Sequence, residues 1–370
     1  MELDDWSNVD NGIDHWWNKK TATTKNLKGK YCPKLFEWFE VDPVGNVRLC
    51  CSSWLPQPIG NLLDNTLEEI WNSDRAIELR NQVFTGDWKY CDHELCPVIN
   101  SDTLPDINDE HHTSPYVEGF PKIINFCNDS SCNLMCPSCR NEKILLTSGP
   151  QYEKSKLIND RICEGLFSRP TDQYFAIFVT GAGDPFASKI FREMLQNIDG
   201  SMFPRLEVNL QTNGTMMTPK MWQSLHKIHD RIKFCRISLD AGCKDTYENK
   251  VRLNGNWDLL LENCKYLDSQ VPDSKQLKVM FDFVVQYDNY KEMKDYVTLC
   301  LNTFKNIYRI HISLITDWGT WPSEIYKQKC IWSDSHPEYQ QFLSELNDPI
   351  FDHPLVDMTN VTSIRNTICN

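Results

Sequence analysis

From Lys122 onward, apolar runs typical of strands alternate with segments of helical periodicity, and this alternation limits the possible folds more than any other feature. Met293, Tyr296, Val297 and Cys300 form one such helical stripe. Six strand–helix units in a row predict a parallel sheet with helices outside, as an open sheet or a barrel. Eight units complete a barrel, so we predict an α/β fold with a partial (β/α)6 TIM-like barrel. The six strand-like runs lie at 122–127, 174–180, 205–211, 232–239, 277–286 and 307–314.

Length and composition exclude several classes of protein. A chain of 370 residues with 41% hydrophobic residues can form one large domain, alone or with a small satellite. It has no apolar run of membrane-spanning length, and its acidic start has no signal-peptide core, so we expect a cytoplasmic protein without a membrane partner. A net charge of -13 argues against nucleic acid as a partner.

Changes in composition along the chain predict five segments. The last of them is aromatic and acidic, and we expect it to cover an edge or the mouth of the barrel. The segments are a polar arm (1–30), a small cysteine-rich α+β module (31–98), a linker with two prolines (99–119), the barrel (120–315) and a C-terminal extension (316–370).

Sixteen cysteines in a chain without an export signal predict metal ligands wherever they cluster. Scattered cysteines are more often buried core residues, and Cys163, Cys235, Cys264, Cys300 and Cys369 belong to this group.

One cluster, Cys132, Cys136 and Cys139, directly follows the first strand of the barrel. Loops after parallel strands lie at the catalytic face of such folds. Three thiolates can hold three irons of a cubane cluster and leave the fourth iron open. The alternative is a structural zinc site with Cys127 as the fourth ligand.

This CX3CX2C loop, at the head of a six-unit series, resembles the radical S-adenosylmethionine (SAM) superfamily. The resemblance implies a [4Fe–4S] cluster on Cys132, Cys136 and Cys139 that binds SAM. It also implies reductive cleavage of SAM to a radical that removes a hydrogen atom from the substrate, with an electron donor such as flavodoxin or ferredoxin. An aromatic residue is frequent in this family where Ser138 stands.

Three further strand ends resemble the SAM-binding motifs of that superfamily. The segment 180–185 resembles its GGE-type motif, with Asp in place of Glu, and implies that Gly181, Gly183 and Asp184 hold the SAM amino group. Asn213, Ser238 and Asp240 would lie near the ribose and carboxylate. A turn or a polar strand end is the alternative for each.

The N-terminal cysteines resemble the SPASM/twitch module, which usually follows a radical SAM barrel. The hairpin sequence GNVRLCC at 45–51 and the segments 59–62 and 67–73 carry this resemblance. The residues themselves predict two strand-like runs, 35–41 and 46–50, joined by a turn, and a helix that starts after Asn65 or Thr66. The resemblance implies one auxiliary [4Fe–4S] cluster with Cys32, Cys50, Cys91 and Cys96 as ligands, and Cys51 could replace Cys50.

The resemblance implies an enzyme that modifies a peptide or protein, as in the maturation of ribosomally made peptides. The segment Trp318–Trp321 could hold such a chain. A radical dehydrogenase or epimerase of a sugar or cyclitol, and a non-catalytic zinc-binding scaffold, are the alternatives. Late-strand residues that could contact the substrate are Asp282, Gln286, Tyr308, His311 and Ser313, and Cys243 could donate a hydrogen atom.

Overall fold

A computed structural model describes residues 25–179 and 182–367. Its strands form one ten-stranded sheet in the order β10-β9-β8-β7-β6-β5-β4-β1-β2-β3. The strands are β1 (Trp38–Val41), β2 (Asn46–Arg48), β3 (Gly60–Asn61), β4 (Ile123–Phe126), β5 (Phe175–Val179), β6 (Leu206–Thr212), β7 (Ile232–Ser238), β8 (Lys278–Val285), β9 (Ile307–Leu314) and β10 (Val356–Asp357).

The α-helices lie mainly between these strands. They are α1 (Lys34–Glu37), α2 (Leu67–Trp71), α3 (Asp74–Thr85), α4 (Pro97–Asn100), α5 (Pro150–Phe167), α6 (Lys189–Asn197), α7 (Pro219–Ser224), α8 (Lys244–Thr246), α9 (Trp257–Gln270), α10 (Met293–Thr303), α11 (Ser323–Lys329), α12 (Tyr339–Leu346) and α13 (Thr362–Asn366). Within the described ranges, none of the helices combines the length and apolar character needed to cross a membrane.

The predicted α/β fold with a parallel sheet is confirmed. β4 to β9 pair in parallel with their neighbours in chain order, as expected of consecutive strand–helix units. Each of the six apolar runs matches one of these strands to within one residue at either end. The predicted stripe on α10 is buried, with Met293, Tyr296, Val297 and Cys300 all inaccessible to solvent.

One face of the parallel sheet packs against the helices and the other lines the interior of the partial barrel. Phe126 of β4 packs edge-on against Phe191 of α6, and Phe281 of β8 stacks on Phe304 just beyond α10. Because side chains alternate along a strand, Asn125 and Asp282 face the opposite, inner side.

The cysteine-rich segment adds strands to this same sheet. β1 pairs in parallel with β4, so that Phe39 lies opposite Ile124, and β2 and β3 continue the sheet in antiparallel pairing. The turn between β1 and β2 has Gly45 at φ +90°, a conformation that favours glycine.

The predicted strand 35–41 is wrong in its first half, because residues 34–37 form α1. Pro33 has a helical φ of -63° and begins the turn. Leu35 and Phe36 are neighbours and both are buried, a pattern that a strand with one buried face does not produce. The second predicted run, 46–50, forms a strand only as far as Arg48.

The C-terminal extension packs against the other edge of the sheet. β10 pairs in parallel with β9, with Val356 opposite Ile310. Phe342 and Leu346 of α12 are fully buried. Of the predicted polar arm, residues 1–24 lie outside the described residues, as does Cys369.

Candidate active site

The three cysteines predicted to hold a cluster lie on one loop after β4. Cys132 and Cys136 are buried, and Cys139 is exposed. The backbone N–H of Cys139 donates to the carbonyl of Cys136 at 2.9 Å, which closes the turn between them. The backbone N–H of Cys132 is held by the carbonyl of Ile144 at 2.7 Å.

Each of these sulfur atoms accepts an N–H donor. The donors are Asn213 Nδ2 to Cys132 Sγ (3.7 Å), Arg252 Nη1 to Cys136 Sγ (3.4 Å) and Arg140 Nη2 to Cys139 Sγ (3.7 Å). Donors to sulfur, two of them cationic, favour thiolates over neutral thiols. Such hydrogen bonds to sulfur are also found around iron–sulfur clusters. The loop therefore fits a thiolate-bound cluster.

Burial raises the pKa of Cys132 to about 11, and it also raises the pKa of Cys136, where the charge and hydrogen bond of Arg252 partly offset it. Without metal, burial thus favours the neutral thiol at both positions. Binding of a cluster would therefore release protons from this loop.

The second predicted motif packs directly on the cysteine loop. Thr180 and Gly181, the first residues of this motif, lie outside the described residues. A Cβ atom added to Gly183 would lie 2.4 Å from the carbonyl oxygen of Ser131. The N–H of Asp184 donates to that same oxygen at 2.8 Å. Glycine is thus required at 183 for the close approach of the two loops.

The Asp184 carboxylate is buried and accepts four hydrogen bonds within the protein. Its donors are the backbone N–H groups of Phe186 (2.9 Å), Ala187 (3.1 Å) and Asn213 (2.8 Å), and the Thr212 hydroxyl (2.8 Å). Burial nevertheless raises the pKa of this carboxyl. Four donors occupy its four lone-pair sites, so Asp184 ties the second loop to the end of β6. Its role toward the SAM amine stays a prediction.

Asn213 contacts the cysteine loop directly through Cys132, whereas Asp240 reaches it through Arg252, which donates to Cys136 Sγ. Asn213 Nδ2 also donates to Asn133 Oδ1 at 3.0 Å. Asp240 pairs with Arg252 and accepts the N–H of Val284 at 2.8 Å. Ser238 is half-buried at the end of β7, opposite Asp282 of β8.

A polar cluster of Arg236, Asp282 and His311 lies on the inner face of β7, β8 and β9. Arg236 donates to both carboxylate oxygens of Asp282, at 2.9 and 3.2 Å, and His311 Nδ1 is 3.1 Å from Oδ1. Burial opposes the ionised carboxylate, but the His311 hydrogen bond and the Arg236 charge outweigh it and lower its pKa. The structure thus brings Asp282 and His311 together, and it adds Arg236.

Four cysteines of the N-terminal module interact with one another. Burial raises the pKa of Cys91, and the charges of Cys32, Cys50 and Cys96 raise it further. The strongest charge effect on Cys51 comes instead from Glu40. The choice of Cys50 over Cys51 as a ligand stays a prediction.

Cys127, the fourth ligand of the zinc alternative, is surrounded by a different set of charges. Burial raises its pKa, and the charges that follow are those of Glu40, Cys51 and Asp42. In residues 25–179 and 182–367, no three His, Cys, Asp or Glu side chains meet closely enough for a single metal ion. A cubane places each thiolate on a different iron and therefore needs wider spacing than one ion does.

The sequence analysis missed Arg140, Arg236 and Arg252. Arg140 directly follows Cys139, so a search for cations beside the cysteines would have found it. Arg252 lies 116 residues from Cys136, and Arg236 lies 46 residues from Asp282. Only the folded sheet brings these two arginines to the site.

Comparisons with known proteins find one matching family and several similar proteins. Residues 32–97 match the SPASM family, an iron–sulfur cluster-binding domain. A stretch of 135 residues is 29% identical to 7-carboxy-7-deazaguanine synthase of Aquifex aeolicus (strain VF5). That match covers 36% of this chain and 55% of the synthase, so the chain spans about half the length of this relative.

Two solved structures are similar at low identity. A structure of TYW1 with a lysine-pyruvate adduct bound has a TM-score of 0.39 at 14% identity and is matched over 63% of this chain and 74% of its own. A radical SAM methyltransferase from Sphaerobacter thermophilus has a TM-score of 0.31 at 20% identity, over 50% and 52% of the two chains.

Proposed function

We propose that this chain is a radical SAM enzyme that cleaves SAM reductively and modifies a peptide or protein. The match of residues 32–97 to the SPASM iron–sulfur cluster-binding family and the 29% identity to a 7-carboxy-7-deazaguanine synthase over 135 residues support this proposal. The active cluster is held by Cys132, Cys136 and Cys139. An auxiliary [4Fe–4S] cluster is held by Cys32, Cys50, Cys91 and Cys96. In this proposal the auxiliary-cluster module spans residues 31–98 and the radical SAM barrel spans residues 120–315.

The observation that carries this proposal is the set of N–H donors directed at the three sulfur atoms of one loop. That loop follows β4, and Asp184 and Asn213 from the next two strand ends are hydrogen-bonded to it or to each other. When bound, the cluster and SAM would supply hydrogen-atom abstraction from an unactivated C–H bond.

The residues of this chain have three tasks in that chemistry. Asn213, Arg140 and Arg252 hold the cysteine loop by their bonds to sulfur. Arg140 also donates to the carbonyls of Ser130 (2.8 Å) and Ala182 (2.7 Å) and so fastens the second loop to the first. The cluster of Arg236, Asp282 and His311 presents polar groups to a substrate inside the barrel.

The segment Trp318–Trp321 supports a peptide substrate. Thr320 donates to the carbonyl of Ser138 at 3.4 Å, and its own carbonyl accepts from Asn141, so this segment lies on the cysteine loop. Trp318 is 67% exposed there. An exposed tryptophan beside the site offers a large apolar contact for a bound chain.

Cofactor content tests the first part of the proposal. Protein reconstituted without oxygen should contain about eight iron and eight sulfide per chain, as two cubanes require. With dithionite it should convert SAM to methionine and 5′-deoxyadenosine. The triple variant Cys132→Ala, Cys136→Ala, Cys139→Ala should keep about half of the iron and lose SAM cleavage. Bound zinc without sulfide would instead support the alternative of a non-catalytic zinc-binding scaffold.

Protease treatment of the substrate source distinguishes a peptide substrate from a sugar or cyclitol. Extract of the source organism should stimulate 5′-deoxyadenosine formation, and prior protease treatment should abolish the stimulation. Stimulation that survives protease would favour the sugar or cyclitol, which the polar cluster of Arg236, Asp282 and His311 could bind. Trp318→Ala should weaken stimulation by a peptide, and Trp332→Ala serves as a control.

A further inference from the structure

Arg252 reaches the cysteine loop from the segment that follows β7. A single π-helical turn, Tyr247–Val251, directly precedes it, a distortion that is frequent at functional sites. The Arg252 side chain is 15% exposed. One end of the guanidinium donates to Cys136 Sγ at 3.4 Å, and the other pairs with the Asp240 carboxylate.

The protein fixes this arginine on both sides. The N–H of Met135 donates to the carbonyl of Leu253 at 3.0 Å, which fastens the backbone beside Arg252 to the cysteine loop. Asp240 has a left-handed φ of +61°, and its carboxylate accepts the N–H of Val284 at 2.8 Å. A non-glycine residue in this conformation is held by its surroundings.

We propose that Arg252 and Asp240 together set the reduction potential of the cluster at Cys136, a role that rests on the proposed function. On reduction the cluster accepts one electron from a one-electron donor and becomes more negative by one charge. A buried cation that donates to a ligating sulfur stabilises this reduced form and raises the potential. The Asp240 carboxylate opposes this effect.

Arg140 is the natural comparison, because it also donates to a cluster cysteine. Its contact with Cys139 Sγ is longer, at 3.7 Å, and Cys139 is exposed. Water screens the charge there, so its effect on the potential is smaller than that of Arg252. Loss of Arg252 should therefore change the reduction potential more than loss of Arg140.

The test is the midpoint potential of the SAM-responsive cluster in the full-length, reconstituted protein, followed by EPR during a dithionite titration without SAM. That cluster is recognised as the one whose EPR signal changes when SAM is added afterwards. Arg252→Gln should move its potential to more negative values, and Asp240→Asn should move it to more positive values. Arg252→Lys keeps the charge and should lie between wild type and Arg252→Gln.

Arg140→Gln should give a smaller negative shift than Arg252→Gln. Arg161→Gln is the matched control, because Arg161 donates to the carbonyls of Leu62 and Asn65 instead, and it should leave the potential unchanged. A purely structural pair would lower stability in both variants without shifts of opposite sign.

Two results would overturn the proposal: an unchanged potential in Arg252→Gln, or shifts of the same sign in Arg252→Gln and Asp240→Asn. If Arg252→Gln binds SAM more weakly but its cluster keeps the wild-type potential, that outcome is the first of these results and overturns the proposal. If Arg252→Gln takes up no cluster, the potentials of Arg252→Lys and Asp240→Asn still show whether the two residues shift the potential in opposite directions. Failure of the proposed function is distinct, because then no cluster of the wild-type protein responds to SAM.

Discussion

At the scale of single residues, the site depends on Gly183. Gly183→Ala would place a methyl group against backbone, the carbonyl oxygen of Ser131 at 2.4 Å, and backbone cannot turn aside. We expect the two loops to separate. The unfolding free energy should fall by about 1–3 kcal/mol, and the cluster at Cys132 should be retained more weakly. Chemical denaturation and iron analysis measure the two effects.

Gly60→Ala is the control for that variant. Its new Cβ would meet a side-chain carbon of Ile70 at 2.9 Å, and a side chain can shift. Its stability loss should be smaller, and iron in the SAM-binding cluster should be normal. Equal losses of cluster in the two variants would contradict the role given to Gly183.

Asp184 should matter for the protein even without cofactors. Asp184→Asn keeps the shape but removes the charge and puts an NH2 group where two donors now point. We expect a loss of about 2–3 kcal/mol in the metal-free protein, measured by urea unfolding. Asp199→Asn, on an exposed turn, is the control. Unchanged stability of Asp184→Asn would mean that its hydrogen bonds are dispensable and that its role is toward a ligand.

At the scale of elements, the capping box of α2 is a separate stabilising unit. The Thr66 hydroxyl accepts the N–H of Glu69 at 3.3 Å, and the Glu69 carboxylate accepts the N–H of Thr66 at 2.8 Å. Thr66→Ala should lower the unfolding free energy by about 1 kcal/mol. Asn65→Ala should have little effect, so similar losses in thermal unfolding would argue against the capping box.

Local patterns predict elements well here and their partners poorly. Each of the strands β4 to β9 carries buried apolar residues on the face that packs against the helices, so these strands can be predicted from the sequence. The parallel pairing of β1 with β4 joins residues 85 positions apart, as between Glu40 and Asn125, and no local signal predicts it.

The same distinction applies to the site. The cysteine spacing and each polar strand end are local patterns of a few residues, and they predict where the site lies. No local pattern marks Arg252, because its contact with Cys136 depends on how β7 and the π-helical turn are placed in the folded chain.

At the scale of the whole molecule, buried thiols make the stability of the metal-free protein dependent on pH. Burial raises the pKa of Cys235, Cys264 and Cys300. The folded chain therefore keeps protons that the unfolded chain releases above the ordinary thiol pKa of about 8.5. Stability should be complete below that pH and fall as the pH rises above it.

Thermal unfolding of the metal-free protein between neutral and alkaline pH measures this dependence. Cys300→Ala should make the decline less steep, since one buried thiol is gone. Cys243→Ala removes an exposed thiol and should leave the decline as it is. An equal decline in Cys300→Ala and the wild type would show that the buried thiols do not cause it.

The pairing of β1 with β4 has a consequence for the two cysteine groups. Cys50 lies two residues beyond β2, and the cysteine loop begins directly after β4, so one hydrogen-bonded sheet supports both groups. Any electron that passes from one cluster to the other would then cross a gap of constant width. Its transfer rate should be insensitive to solvent viscosity, because no diffusive motion of one lobe against another is needed before each hop.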